Sequence, residues 1–324
     1  GEQCKRIGIQ VNYAPVVDVN NNPENPVIND RSFGEDKYKV AEYGIQMMKG
    51  MQDAGIMACA KHFPGHGDTK TDSHVGLPII TKSIEQLDSL ELYPFKKIFA
   101  TGVQSVMVAH LYIPSIDNTP NLATSLSPKN IATLLQKKLG FTGLVFTDAL
   151  EMQGVAKFFT PGDLAVKALQ AGNDLLCLPG DVPASIAAIQ NAIKKGTLHQ
   201  QEINNKVKKL LYAKYDLGLS HLKPVDTKNL INDINAKTAA LNAKVAQEAI
   251  TLLAYNNKKT FPLKKYTADA TKDPGLFPTL RKKVAFVGLG LEEANTFAKQ
   301  VNHFYQPDNY FLSYNTSAEK FATI

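Results

Sequence analysis

Apolar residues along the chain alternate between short runs with the composition of β-strands and longer segments with helical spacing. Val- and Ile-rich runs begin near residues 7, 56, 103, 142 and 174, and an amphipathic pattern follows each of them. Strands that alternate with helices are typical of a parallel sheet, in which each helix crosses from one strand to the next. Both a doubly wound sheet and a (β/α)8 barrel have this order of elements.

Turn and capping residues predict where these elements begin and end. Gly55 ends the first long helix, and Ser127-Pro128 has the N-cap and first-turn proline of a helix that Gly140 ends. The predicted strands cover residues 6–20, 56–60, 103–109, 143–146 and 174–178. The predicted helices cover residues 36–54, 83–101 in two parts, 127–140, 161–171, 182–195 and 200–217.

Polar residues at the strand ends favour the barrel over the open sheet. They lie at or just past the C-terminal ends of different predicted strands, namely Asp18, Lys61-His62, His110 and Asp148. In a TIM barrel these ends converge on one mouth, where the active sites of the fold lie. We therefore predict an α/β fold with a (β/α)8 TIM-type barrel. The strands counted are too few to close it, so the missing N-terminal strands are expected before Gly1.

The pattern changes after residue 219. Residues 1–220 are predicted to form the catalytic barrel domain, and the polar segment 221–235 is predicted to be a linker. Residues 236–324 are expected to begin a second α/β domain of sandwich type. Its predicted elements are a helix over 236–255, a Lys-rich loop over 256–283, a strand over 284–289 and a helix over 292–300.

Composition and local motifs exclude several classes of partner. The 324 residues carry a net charge of +6, and their lysines are scattered rather than aligned with aromatic residues, so no nucleic acid is expected. No run approaches the ~20 apolar residues of a transmembrane helix, so no membrane span is predicted. The turn Gly288-Leu289-Gly290 lacks the third glycine of a dinucleotide fingerprint, since Glu293 occupies that place.

The segment from Lys61 to His74 concentrates titratable groups, which are costly to bury and therefore predict a wet cleft. Residues i and i+2 of an extended loop point to the same side, so the Asp72 carboxylate is expected to contact the His74 ring. Such a contact favours the imidazolium and makes His74 an acid/base near neutral pH. For Asp148, the roles of nucleophile, general base, metal ligand and structural residue all stay open.

A metal site is the main alternative for this segment. Its suitable ligand types are His62, His66, Asp68, Asp72 and His74. The glycines of the segment argue against a helix that would present these side chains together. No metal or other cofactor is therefore predicted.

The histidine-rich motif resembles that of the β-N-acetylglucosaminidases of glycoside hydrolase family 3. Those enzymes carry Lys-His-Phe-Pro-Gly-His-Gly followed after a few residues by Asp-Ser-His, as this chain does from Lys61 to His74. The supporting motifs are NYAPVVDV from Asn12, DRSFG from Asp30, MVAH from Met107, LSP from Leu126 and FTDALEM from Phe146. The similarity spans roughly residues 8 to 215.

This resemblance implies a TIM-type barrel and a retaining mechanism. Asp148 matches the nucleophile of the family, and His74 matches the acid/base, with Asp72 orienting it. The positions that match sugar-binding residues are Arg31, Lys61 and His62, and weaker candidates for the pocket wall are Asp18 and His110. The implied substrate is an oligosaccharide or muropeptide with a terminal β-linked N-acetylglucosamine, derived from peptidoglycan or chitin.

The sequence also departs from the family pattern. An Asp-x-Glu-Gly-Gly motif that grips the far side of the sugar is absent and is expected on strands that precede Gly1. Two further functions stay open: a β-N-acetylglucosaminide phosphorylase, because a histidine acid/base does not repel phosphate, and a non-catalytic sugar- or metal-binding barrel. The resemblance favours the periplasm or cell envelope, and no oligomeric state is predicted.

Overall fold

The computed structural model describes residues 1–72, 75–250, 285–289, 291–305 and 307–313. The chain divides into two compact units, Gly1–Ala239 and Ala240–Ile324. Each unit is built from parallel strands and helices. Within the described part of the chain, no helix has both the length and the apolar composition needed to cross a bilayer.

The first unit contains an arc of parallel strands in the order β1-β2-β3-β4. These strands span Val11–Asn12, Met57–Phe63, Ser105–Val108 and Leu144–Thr147. The ladder continues from strand to strand, with Cys59 opposite Ser105 and Ser105 opposite Leu144. Sequential parallel strands joined by helices are the arrangement of a (β/α) barrel wall, so the predicted fold class is confirmed.

Helices follow the strands along the chain. Helices α1 to α10 span, in order, Glu2–Arg6, Lys37–Asp53, Ile84–Ser89, Leu92–Ala100, Gln153–Ala156, Pro161–Ala171, Val182–Lys194, Gln200–Asp216, Leu230–Asn235 and Thr238–Ala249. A π-helix covers Lys129–Lys138, and short 3-10 turns cover Asn29–Arg31, Thr124–Leu126 and Leu219–His221.

Strands β2, β3 and β4 are buried on both faces, as parallel strands of a barrel require. In β3, Val106 and Val108 belong to the large apolar cluster formed with the surrounding helices, whereas Met107 belongs to a separate cluster on the other face. Phe146 of β4 joins Met107 in that second cluster.

Helix α2 illustrates how the helical layer is attached. The Asp36 carboxylate accepts from the amides of Tyr38 at 2.8 Å and Lys39 at 3.3 Å, and this cap begins the helix where the sequence predicts it. On the buried face, a Cβ at Gly44 would lie 2.6 Å from Val17 Cγ1. Glycine therefore allows α2 to approach the segment that leads to Asp18.

The first predicted strand, residues 6–20, was wrong in extent. Residues Glu2–Arg6 are helical, and regular pairing is limited to Val11–Asn12. Pro15 has no N–H and interrupts the ladder. The segment still follows β2, because the carbonyls of Ala14 and Pro15 accept from the amides of Cys59 and Lys61 at 2.8 and 3.0 Å.

The predicted strand 174–178 is reduced to a single bridge between Leu175 and Phe146. The Asp174 carboxylate accepts from the Val145 amide at 2.9 Å, so a side chain takes the place of a backbone partner. The segment 221–235, predicted to be a linker, contains helix α9.

In the second unit, β5 (Ala285–Leu289) pairs in parallel with β6 (Asp308–Leu312). Helix α11 (Thr296–Tyr305) lies between them in the chain and starts later than predicted, because the Asn295 side chain accepts from the Ala298 amide at 2.9 Å. Gly288 lies within β5, and Gly290 and the Lys-rich segment 256–283 lie outside the described residues.

Candidate active site

Five of the eight predicted site residues lie at the C-terminal edge of the parallel strands, namely Asp18, Lys61, His62, His110 and Asp148. Lys61 and His62 are among the last three residues of β2, His110 follows β3, and Asp148 follows β4 directly. Asp18 is brought beside them because Val16 bridges to Lys61. The geometry thus collects residues from distant parts of the chain at one edge of the sheet.

Asp18 and His62 form a buried pair. His62 Nδ1 lies 2.7 Å from Asp18 Oδ2, and the His62 amide donates to both carboxylate oxygens at 3.2 and 3.1 Å. The His66 amide adds a further bond to Asp18 Oδ1 at 2.7 Å. Burial alone would raise the pKa of Asp18, but the His62 ring and the His66 amide outweigh it and lower the pKa below its usual range.

These contacts determine the tautomer of His62. A carboxylate only accepts, so Nδ1 carries the proton that faces Asp18. On the other side of the ring, Arg31 Nη2 lies 3.3 Å from Nε2, and a guanidinium only donates. Nε2 therefore accepts from Arg31, and both ring nitrogens of His62 are engaged.

Asp148 is half-buried at the end of β4. Its amide donates to the Val108 carbonyl at 2.9 Å, and the Ala149 amide donates to its Oδ1 at 2.9 Å. Burial would raise the pKa of Asp148, but the rings of His62 and His110 and the Ala149 amide together lower it. The carboxylate is therefore ionised at neutral pH.

Lys61 and His110 come from β2 and from the end of β3, the two strands that precede β4 in the sheet. Burial lowers the pKa of Lys61, the charge of Arg31 lowers it further, and Asp148 offsets only part of this effect. His110 is fully buried and its Nε2 donates to the Ala149 carbonyl at 2.9 Å, while its Nδ1 lies 2.6 Å from Ser125 Oγ. His110 thus holds the backbone immediately after Asp148.

The segment 64–76, which we call the histidine loop, is fixed at its start by a buried amide. Asn25 Nδ2 donates to the carbonyls of His66 and Gly67 at 2.8 and 2.9 Å, and its Oδ1 accepts from the amides of Val27 and Ile28 at 2.9 and 2.8 Å. Sequence reasoning missed Asn25. Its position in an Asn- and Pro-rich loop was the available signal.

His66 lies in this anchored part and is buried. Its Nδ1 lies 3.0 Å from Thr69 Oγ1. Burial, together with the neighbouring His62, lowers the pKa of His66 from 6.5 to about 4. His66 is therefore neutral at physiological pH and shapes the loop.

The predicted acid/base pair is only partly described. The Asp72 carbonyl accepts from the amides of Val75 and Gly76 at 2.9 and 3.0 Å. Ser73 and His74 lie outside the described residues, so the contact between Asp72 and His74 stays a prediction.

The metal alternative for this segment conflicts with the hydrogen bonds of its candidate ligands. Both ring nitrogens of His62 face Asp18 and Arg31, and Asp68 Oδ2 lies 2.8 Å from Lys82 Nζ. Among the described residues, no group of three or more His, Cys, Asp or Glu side chains is arranged to hold a metal ion.

Residues 1–213 match the family described as Glycosyl hydrolase family 3 N terminal domain. The chain belongs to glycosyl hydrolase family 3. The resemblance carried by the histidine-rich motif is thereby confirmed, and the family assignment covers the barrel unit described above.

Named relatives of this family 3 chain are similar over much of its length. Beta-hexosaminidase A of Pseudoalteromonas piscicida is 33% identical over 270 residues, which are 78% of this chain and 45% of that protein. Beta-hexosaminidase LpqI of Mycobacterium tuberculosis is 35% identical over 215 residues, covering 64% of this chain and 54% of that protein.

A solved structure of a glycoside hydrolase family 3 beta-N-acetylglucosaminidase from Paenibacillus sp. str. FPU-7 superposes with a TM-score of 0.74. It is 30% identical, and the superposition covers 100% of this chain and 61% of that one. The chain thus spans about half the length of the curated relatives it matches.

Proposed function

We propose that the protein is a retaining glycoside hydrolase that releases terminal β-linked N-acetylglucosamine from oligosaccharides. The observation that carries this proposal is the ionised Asp148 carboxylate, which lies at a barrel strand end near His62, His110 and Lys61. Relatives named beta-hexosaminidase support the choice of sugar. The sugar donor would be a fragment of peptidoglycan or chitin.

The mechanism has two steps. Asp148 attacks the anomeric carbon, so that a carboxylate–carbon bond forms while the glycosidic carbon–oxygen bond breaks, and His74 gives its proton to the departing oxygen. In the second step His74 takes a proton from water, which attacks the same carbon and releases Asp148. Asp72 would hold the ring of His74 in position.

The remaining residues would bind and orient the sugar. Arg31 is exposed and Lys61 is half-buried, so both side chains are accessible to hydroxyl groups at the strand ends. Asp18 and His110 are fully buried. We therefore propose that Asp18 acts by orienting His62 and that His110 acts by holding the backbone at Asp148.

The test is hydrolysis of matched aryl glycosides by the intact protein. We expect release of N-acetylglucosamine from the aryl β-N-acetylglucosaminide and at least 10-fold lower kcat/KM for the β-glucoside. Asp148→Asn should reduce turnover by about 10³-fold or more, because the neutral amide is a poor nucleophile. Equal rates for the two glycosides would contradict the sugar assignment, and an active Asp148→Asn would contradict the nucleophile.

The same assay distinguishes the two alternatives. A phosphorylase would release N-acetylglucosamine 1-phosphate when phosphate is added, whereas a hydrolase gives the free sugar with or without it. A non-catalytic sugar-binding barrel would bind the glycoside without turning it over.

We further propose that residues 1–220 form the catalytic domain, that 221–235 connect it and that 236–324 begin a second domain. The periplasm or cell envelope is the expected location, because peptidoglycan fragments arise there. Fractionation of cells that express the intact protein tests the location, and recovery in the cytoplasm would contradict it.

A further inference from the structure

Lys82, on the C-terminal side of the histidine loop, is surrounded by acceptors from three separate segments. Its Nζ lies 2.8 Å from Asp68 Oδ2 and contacts Glu91 Oε1. With the Asn21 amide oriented so that its oxygen faces Lys82, that oxygen accepts from Nζ at 2.9 Å while its nitrogen donates to the Val19 carbonyl at 2.9 Å. An ammonium has three donors, so each proton of Lys82 has an acceptor.

The charge of this cluster is shielded from solvent. The Glu91 side chain is fully buried, Lys82 is 21% exposed, and Asp68 is 32% exposed. Burial lowers the pKa of Lys82, but the carboxylates of Asp68 and Glu91 outweigh it and raise the pKa above its usual range. Lys82 therefore stays charged at any pH at which the enzyme would work.

Glu91 also packs directly against the histidine loop. A Cβ at Gly65 would lie 2.7 Å from Glu91 Cβ, so the loop backbone packs against this side chain where only glycine fits. Glu91 Oε2 is buried and has no hydrogen-bond partner among the described residues. The carboxylate therefore depends on Lys82 for compensation of its charge.

The segment that follows the histidine loop, residues 78–82, is held as well. The Tyr112 amide donates to the Pro78 carbonyl at 2.8 Å, the Ile80 amide donates to the Tyr112 carbonyl at 3.0 Å, and Ser115 Oγ donates to the Lys82 carbonyl at 2.7 Å. The Lys82 backbone thus lies in the held segment that follows the histidine loop, and its side chain contacts Asp68 within the loop.

We propose that Lys82 is a positioning residue for the acid/base step, because it ties Asp68 to Glu91 and so fixes the described part of the histidine loop that leads to Asp72. This inference rests on the proposed acid role of His74. The Lys82–Asp68 pair contributes no group to the sugar. Its loss should therefore impair proton transfer to the leaving group and spare the attack by Asp148.

The experiment compares aryl β-N-acetylglucosaminides with a poor leaving group, phenol, and a good one, 2,4-dinitrophenol, on the intact protein. A poor leaving group needs the acid and a good one does not, and general acid catalysis contributes about 10²–10⁴-fold. We expect Asp68→Ala and Lys82→Met to reduce kcat/KM, which reports only the steps up to departure of the leaving group, about 10-fold more for the phenyl glycoside than for the dinitrophenyl glycoside. Lys82→Arg, which keeps the charge, should restore most of the phenyl rate.

Two further variants make the outcomes distinguishable. Asp88→Ala is the control, because it removes a Lys–Asp ion pair that is more exposed, in which Lys96 Nζ lies 2.5 Å from Asp88 Oδ1. It should change the rate with neither glycoside. His74→Ala should show the largest leaving-group selectivity. An unselective His74→Ala would overturn the acid role and this inference together. If His74→Ala slows the phenyl glycoside selectively and Asp68→Ala slows both glycosides equally, the inference about Lys82 is overturned and the acid role of His74 stands. Asp68→Ala keeps the Lys82–Glu91 pair, so it provides the test even if Lys82→Met does not fold.

Discussion

At the scale of single residues, Asp18 organises the site without exposure to solvent. It accepts from the amides of His62 and His66 and from the His62 ring, so one carboxylate positions the end of β2 and the start of the histidine loop. Hydrogen bonds to a charged acceptor are roughly twice as strong as neutral ones. A buried carboxylate that loses them would leave several N–H groups unsatisfied.

Asp18→Asn should destabilise the protein by about 3 kcal/mol at pH 7, because the amide nitrogen would face N–H donors in a buried site. The folded-state pKa of Asp18 is lowered, so the stability it contributes is present above its unfolded pKa and is lost as pH falls through the folded value. Urea unfolding of both proteins at pH 7 and in acid measures this difference.

We expect the difference in unfolding free energy between wild type and Asp18→Asn to narrow below about pH 4. The control is Asp88→Asn at an exposed carboxylate, which should change stability by less than about 0.5 kcal/mol. A difference in unfolding free energy that does not change with pH would contradict the ionised state of Asp18.

At the scale of elements, the histidine loop is held by close backbone packing as much as by side chains. A Cβ at Gly67 would lie 1.7 Å from the Val19 carbonyl oxygen, which is closer than any non-bonded contact. The loop and the segment after Asp18 therefore touch backbone to backbone. Asn25 holds the Gly67 carbonyl on the same side at 2.9 Å.

Gly67→Ala should displace the loop, destabilise the protein by about 1–3 kcal/mol and reduce turnover. The matched control is Gly50→Ala in α2, where no atom lies within 4 Å of the new Cβ. That change should stabilise the protein by about 0.5–1 kcal/mol, since alanine favours a helix interior over glycine. Thermal unfolding of both variants measures the contrast, and equal effects would contradict the packing at Gly67.

At the scale of the whole molecule, the response of folding to acid sums the titration of its buried groups. His66 contributes because its pKa is lowered to about 4 in the folded protein. Above its unfolded pKa, near 6.5, both states are neutral and no difference arises. Between about pH 6.5 and 4 the unfolded chain binds a proton that the folded chain does not, so stability falls.

His66→Gln should remove this part of the acid sensitivity, which is on the order of 3 kcal/mol between pH 7 and 4. The variant should be less stable at pH 7 but should lose less stability than wild type on acidification. His199→Gln, at an exposed helix cap, is the control and should leave the pH profile unchanged. Parallel curves of unfolding free energy against pH for wild type and His66→Gln would contradict the buried neutral imidazole.

Local signals in the sequence determined most of the helices. The cap at Asp36 begins α2, and Thr160 and Pro161 begin α6, which covers Pro161–Ala171 as predicted. Gly172, with φ of 117°, ends α6 in a conformation that favours glycine. Such signals involve residues only a few positions apart, so they can be recognised from the sequence alone. The histidine-rich motif likewise identified the family.

Only the tertiary structure decided how those strand ends are held together. Asp18 and His62 are 44 residues apart, and Asn25 and His66 are 41 apart. Lys82, in a loop that the sequence leaves unremarkable, is placed between Asp68 and Glu91 by the packing of three segments. Hydrogen bonds between distant residues depend on which surfaces meet, and periodicity and capping carry no information about that. The residue types of the site were therefore readable in the sequence, whereas their supports emerged only from the fold.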